Sequence, residues 1–394
     1  MTAPEFPRMS MSRRRLLMAA GLGGAAVVGG SVLAACGSSS SGASSAGSGA
    51  AGAGGTVNWS NWPLYIDLDD TTGEMPTLKA FQEQTGIAVN YTDDINDNAE
   101  FYAKVRTQLE QGQPIDRDIV VLTNWMAGIW IAAGYAQKLD KANIPNSANL
   151  EPAYLKASFD PGREFSLPWQ SGFGAFGWNK AQLKDALGTD TLVSLDQLWD
   201  PKLKGRITVL SEMRDTMGII LAWLGHDPSN FTDAQYAEAI AVLAEKVSSG
   251  QIRQVAGNDY VASMQSGDVI AVIGWSGDMF QLGEDFGVGL PETGGMLWTD
   301  NMLIPVQAAN KAGAEAVMNY YYDPMVAAKV AAYVQYVCPV KGAQEAMASV
   351  DASLVDNPWI FPSEDMLKNS YVFMTLTEQQ DAAYQAAFQK AIGL

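Results

Sequence analysis

Beyond residue 56 the apolar positions fall into short continuous runs separated by stretches with helical spacing. Residues 56–62, Thr-Val-Asn-Trp-Ser-Asn-Trp, read as a strand that turns at Pro63. A helix over 77–84 stops at Gly86 and leads into a strand over 86–91. Phe101, Val105 and Leu109 give helical spacing over 100–111, and Asp118-Ile119-Val120-Val121-Leu122 is a compact buried-type strand. Strand, helix, strand, helix, strand predicts a parallel sheet covered by helices. A second set follows, with strands at 173–178, 205–210 and 269–275 and helices at 218–224, 233–248 and 259–266. Further helices are predicted at 311–323, 324–335 and 378–392. The pattern is α/β in two lobes, without a short repeat or a coiled-coil heptad.

The N-terminus follows another pattern. Ser12-Arg13-Arg14-Arg15-Leu16-Leu17 leads an apolar run that ends at Leu33-Ala34-Ala35-Cys36. Positive charge, a short apolar core and small residues before a cut site describe an export signal, whereas a membrane anchor would need a longer span. The arginines resemble a twin-arginine leader. Leu-Ala-Ala-Cys resembles the bacterial lipoprotein box, which makes Cys36 the expected lipidated first residue of the mature protein. Residues 37–55 are almost purely Gly, Ser and Ala, a flexible tether reaching about 25 Å. The expected organisation is therefore a signal peptide over 1–35 and a lipidated tether over 36–55. Such a protein stands on the outer face of the cytoplasmic membrane. The Gly21-Leu22-Gly23-Gly24 string inside the leader imitates a dinucleotide fingerprint, but no strand precedes it.

Composition narrows the chemistry. A hydrophobic share of 47% and roughly 340 residues beyond the tether allow two domains with sizeable cores. The formal net charge is −18, and it becomes more negative once the leader's four arginines are removed. That surface repels nucleic acid and anionic lipid and suits a cationic ligand, although solubility alone also accounts for it. Of two cysteines, Cys36 is assigned to lipid, so Cys338 has no disulfide partner. The one histidine, His226, sits in a Gly-His-Asp-Pro turn, which argues against a zinc cluster and against serine or cysteine nucleophiles. Asp94-Ile95-Asn96-Asp97-Asn98 hints at a calcium loop, yet Ala99 replaces the turn glycine and Val105 the bidentate glutamate. No metal or cofactor is expected.

Ligands in open α/β sheets collect beyond the carboxyl ends of strands. Those ends are aromatic here: Asn61, Trp62 and Tyr65; Thr123, Asn124 and Trp125; Trp275 and Asp278; and later Trp298, Asp300 and Tyr336. Glu212 and Asp215, at i and i+3 after a strand, share a face if a helical turn begins there. Acids plus aromatic walls suit an organic cation, through charge-assisted hydrogen bonds and ring faces. The same residues also fit core-filling tryptophans, a solvated acid pair, or the acid and base of a glycosidase.

From Val57 to about Glu345 the chain resembles the bacterial spermidine/putrescine-binding proteins of polyamine ABC transporters. Asn61-Trp62 with Tyr65 matches that family's first site segment, and Thr123 with Trp125 matches its second. Glu212-Met213-Arg214-Asp215 matches its acid pair with an arginine between, the two acid types exchanged. Trp275, Gly294-Gly295-Met296-Leu297-Trp298-Thr299-Asp300, and Tyr336 before Pro339 complete the set. Pro63 stands where the family has threonine, Trp125 where it has tyrosine, and its C-terminal glutamine has no counterpart in 371–374.

The resemblance implies a two-lobed periplasmic-binding-protein fold, type II-like, each lobe a mixed, mainly parallel sheet flanked by helices. It implies lobe 1 from 56–164 plus about 301–345, and lobe 2 from 165–300 plus about 346–394, with crossings near Phe165 and Trp298. It also implies a monomeric, non-catalytic binder that delivers spermidine or putrescine to a permease. In the cleft, Glu212, Asp215 and Asp300 would pair with ammonium groups. Trp62, Trp125, Trp275 and Trp298 would stack on the aliphatic stem, and Tyr65, Thr123 and Tyr336 would supply hydrogen bonds. The alternatives are a binder of another small organic solute and a secreted glycoside hydrolase using Glu212 and Asp215.

Overall fold

The computed structural model describes residues 55–393; the leader, Cys36 and the tether lie outside the described residues. Ten strands form one sheet: β1 Thr56–Ser60, β2 Ala88–Thr92, β3 Ile119–Thr123, β4 Ser166–Asn179, β5 Ile207–Leu210, β6 Ile252–Ala256, β7 Ala271–Trp275, β8 Phe286–Gly289, β9 Gly295–Leu303 and β10 Ser370–Tyr371. Their order is β2-β1-β3-β9-β4-β7-β5-β6, with β8 beside β4 and β10 beside β9. β1 pairs in parallel with β2 and β3, and β5 in parallel with β6 and β7. Between these parallel units run the long strands β9 and β4, antiparallel to each other and to the units they join.

This order follows from the connections. Helices Pro76–Thr85 and Asn98–Glu110 return the chain from β1 to β2 and from β2 to β3, as parallel pairing requires. β4 is buried along almost its whole length, so it reads as a continuous apolar run rather than an alternating one. Pro168, which lacks an N–H for the ladder, sits at a register shift between Pro168 and Gln170. An isolated bridge from Ser171 to Val337 adds one more strand-like contact to β4.

The sequence expectations hold for most elements, with informative differences. The strand predicted over 173–178 extends back to Ser166, because the shift at Pro168 lets pairing with β9 continue. The helix predicted over 218–224 is Met213–Trp223 and starts earlier, since the Glu212 side chain caps it by accepting from the Arg214 N–H. Helix Asn124–Ala132 was not predicted; its sequence, Asn-Trp-Met-Ala-Gly-Ile-Trp-Ile-Ala, is apolar on most sides and shows no helical stripe. β6, β8, β9 and β10 also lay outside the predicted pattern. Cys338 is a free, buried thiol, and His226 bonds Glu238 and Gln235. Among the described residues no helix is long and apolar enough to cross a membrane.

The core behind the β1 end of the sheet is organised by Trp59. Its fully buried ring meets Tyr91, Trp169 and Tyr321 edge to face at 5.2, 5.0 and 5.4 Å. Trp169 comes from β4 and Trp59 from β1, so this cluster locks the long strand to the first parallel unit. Trp59→Ala is expected to lower unfolding stability by about 3–5 kcal/mol in a denaturant titration. A loss below about 1 kcal/mol would show that the ring cluster does not anchor this unit.

Candidate ligand-binding cleft

A narrow cleft opens where the two parallel units face each other across β9 and β4. Trp62, Pro63 and Tyr65 reach it from the turn after β1, Thr123 from the end of β3, and Trp298 and Asp300 from β9. From the other unit come Glu212 and Asp215, which open the helix after β5, and Trp275 and Asp278, which follow from β7. Asn98, Asn258 and Tyr336 complete the lining.

Four buried carboxyl groups meet there. Asp300 lies opposite Thr123 of β3 on one side and Gln170 of β4 on the other. Its Oδ1 accepts from the Thr123 hydroxyl at 2.6 Å and its Oδ2 from the Tyr65 hydroxyl at 2.9 Å. Asp215 Oδ2 accepts from Trp275 Nε1 at 2.9 Å. Position 174 must be glycine for that contact, since a Cβ there would lie 2.7 Å from Asp215 Oδ1. Asp278 accepts from the hydroxyls of Tyr260 and Tyr336, both at 2.8 Å, and from Asn258 Nδ2 at 3.0 Å. Glu212 accepts from Asn98 Nδ2 and Trp125 Nε1, both at 3.3 Å, and has Arg214 Nη1 at 3.8 Å.

Aromatic rings make the walls. Trp62 and Trp275 meet edge to face at 5.9 Å, Tyr65 and Tyr336 at 5.3 Å, and Trp298 and Tyr336 at 5.2 Å. Trp62 is fixed by donating Nε1 to the Val121 carbonyl at 3.0 Å.

Burial dominates the electrostatics of these four acids. Burial pushes the carboxyls of Asp278 and Asp300 up to about 6 and that of Glu212 up to about 7. Asp215 is raised well above the usual carboxylate range, first by burial and then by Glu212 beside it. Burial likewise raises the phenols of Tyr65 and Tyr336, which keeps them protonated as donors. Of these four acids only Glu212 has a cationic side chain within 4.0 Å among the described residues. No group of three or more His, Cys, Asp or Glu among them could hold a metal ion.

Buried acids beside ring faces are groups that could pair with an organic cation. A profile described as bacterial extracellular solute-binding protein matches residues 77–360. The chain belongs to this family. It is 29% identical over 317 residues to the spermidine/putrescine-binding periplasmic protein of Escherichia coli, covering 80% of this chain and 85% of that one. It is 30% identical over 296 residues to the protein of the same name from Salmonella typhimurium, covering 74% and 80%. Its fold matches a putative spermidine/putrescine ABC transporter structure from Listeria monocytogenes with a TM-score of 0.73 and 26% identity, covering 85% of this chain and 98% of that one. The family binds solutes for transport and is not one of enzymes, so the hydrolase reading of Glu212 and Asp215 is set aside.

Nine of the ten expected site residues line the cavity of this solute-binding protein: Trp62, Tyr65, Thr123, Glu212, Asp215, Trp275, Trp298, Asp300 and Tyr336. Trp125 is not among the lining residues; it sits behind Glu212 and under Arg214. Asn98 and Asn258 had no signal of their own. Asp278 was visible three residues after Trp275, but its place among the acids depends on Tyr260 and Tyr336, which only the fold brings to it.

Raised carboxyl groups make a signed prediction. In the unfolded chain they titrate near about 4, so between about pH 4 and 7 the ligand-free folded protein holds more protons, and raising the pH removes stability. The thermal midpoint of the ligand-free protein is therefore expected to fall from pH 5 to pH 8, and to fall less in Asp300→Asn. A midpoint that rises over this range, with the variant unchanged from wild type, contradicts the buried-acid assignment.

Proposed function

We propose that this solute-binding protein captures a polyamine, spermidine or putrescine, and delivers it to the permease of an ABC importer. The observation that carries the reading is the trio Asp215, Asp278 and Asp300, buried in one aromatic-walled cavity with neutral hydrogen-bond donors and, among the described residues, no ion pair to Lys, Arg or His within 4.0 Å. A polyamine supplies what the trio lacks. Its ammonium groups neutralise the acids through charge-assisted hydrogen bonds, and its methylenes lie against Trp62, Trp275 and Trp298. Tyr65, Thr123 and Tyr336 then orient the carboxylates by holding their remaining lone pairs. The names of the relatives from Escherichia coli and Salmonella typhimurium support the same ligand class.

The working molecule is a monomer with lobe 1 over 56–164 plus about 301–345 and lobe 2 over 165–300 plus about 346–394. The lobes hinge where β4 and β9 cross between them. Export through the arginine leader and lipidation at Cys36 hold it at the outer face of the membrane, where a permease docks. The tether over 37–55 gives it room to swing between capture and delivery.

Titration with putrescine and with spermidine is expected to change tryptophan fluorescence saturably, with micromolar affinity or better. Asp300→Asn, which leaves an ammonium unpaired in a closed site, is expected to cost about 2–5 kcal/mol of binding. A flat titration with both amines refutes the ligand class, and a saturable response to a neutral solute alone would replace it. Unchanged affinity in Asp300→Asn refutes the assignment of that residue.

A further inference from the structure

Arg214, which with Met213 separates Glu212 from Asp215, has partners on three sides. Its guanidinium lies over Trp125, 3.9 Å from the ring centroid. Nη2 donates to Asp381 at 2.6 Å, and Nη1 lies 3.8 Å from Glu212 Oε1. These partners come from separate parts of the fold. Trp125 lies on helix Asn124–Ala132, which follows β3, whereas Glu212 caps the helix after β5 and Asp381 belongs to the closing helix Glu378–Ile392. One side chain, 12% exposed, therefore ties the β3 unit to the β5 unit beside the cleft. Neighbouring contacts cross at the same place: Asn98 and Trp125 donate to Glu212, and Ser211 donates to Asp97 at 3.0 Å.

We propose that Arg214 is a latch cation: it balances Glu212 and clasps Trp125 across the cleft, so that the lobes close while Asp215, Asp278 and Asp300 remain for the ligand. The part of this that concerns the ligand rests on the polyamine reading. Arginine suits the position because a planar guanidinium stacks on an indole and still donates in its own plane to Asp381; an ammonium cannot do both. The contact is largely withdrawn from water, where a cation over a ring is worth more than at an exposed site.

The proposal has a sign that separates it from simple charge arithmetic. A positive charge beside a cation site repels the ligand, so on Coulomb's law alone its removal should tighten binding. Two carboxylates already balance Arg214, which leaves little net field at the ligand, and the lost clasp should dominate. Its removal should therefore weaken binding.

The test uses Arg214→Met, Arg214→Lys, Trp125→Leu and the Met/Leu double variant, each with its fold checked by circular dichroism. Calorimetric titration with putrescine and spermidine is expected to show affinity at least about tenfold weaker in Arg214→Met. Trp125→Leu should match it, the double variant should add little, and Arg214→Lys should recover only part. Small-angle scattering without ligand should show a larger radius of gyration in Arg214→Met and Trp125→Leu than in wild type. Equal or tighter affinity in Arg214→Met overturns the latch, as does an unchanged radius of gyration. If Arg214→Met does not fold, Arg214→Lys and Trp125→Leu carry the same comparisons. If wild type binds neither amine, the polyamine reading falls, and the scattering comparison, which needs no ligand, decides the latch by itself.

Discussion

A carboxylate taken out of water has to be met by a cation or by several donors, and otherwise it takes up a proton. Four carboxyl groups are taken out of water together where the two parallel units of the sheet face each other. The fold meets them mainly with neutral groups: Thr123, Tyr65, Trp275, Tyr260, Tyr336 and Asn258 donate, and among the described residues only Glu212 of the four has a guanidinium within 4.0 Å. Donors orient these acids without cancelling their charge. Burial then holds them protonated towards neutral pH in the absence of a ligand. In the proposed reading a ligand carrying positive charge completes the site, so that stability and solute binding depend on the same residues.

The backbone makes such a concentration of acids possible. Asp300 sits on β9 between β3 and β4, so its carboxylate is fixed by ladders on both sides. β4 carries glycine where the cleft walls come closest: a Cβ at Gly172 would lie 2.6 Å from Trp298, and one at Gly174 would meet Asp215. The aromatic rings meet edge to face at 5.2 to 5.9 Å and hold one another in place, which prepares the walls before a ligand arrives. Preorganisation of this kind lowers what binding must spend on ordering the site.

Much of the site was legible because its signals are local. Trp62 and Tyr65, Thr123, and Trp275 each follow a strand that sequence pattern alone identifies, and ligands gather at such ends. Glu212 and Asp215 were legible as a pair, although their role as cap and first turn of one helix needed the structure. Asn98 was hidden inside a segment read only as a failed calcium loop, and Asn258 stands alone in a turn. Asp278 becomes a site residue through Tyr260, eighteen positions earlier, and Tyr336, fifty-eight later. Trp125 shows the converse: its position after β3 matched a cavity residue, but the guanidinium of Arg214 claims its ring. β9, on which Trp298 and Asp300 sit, escaped the strand pattern because it is a buried centre strand without alternation, interrupted by the consecutive polar residues Thr299, Asp300 and Asn301.

The central claim is that solute charge replaces protons on buried acids. Calorimetric titration of the protein with putrescine near pH 6, in buffers of differing ionisation enthalpy, tests it directly. The diamine is fully protonated there and nearby carboxylates favour its charged form, so the protons released come from the acids of the protein. The account predicts net release of protons on binding, diminishing by pH 8 as the carboxyls ionise without help. Binding enthalpies independent of the buffer at pH 6, or net proton uptake, would contradict it.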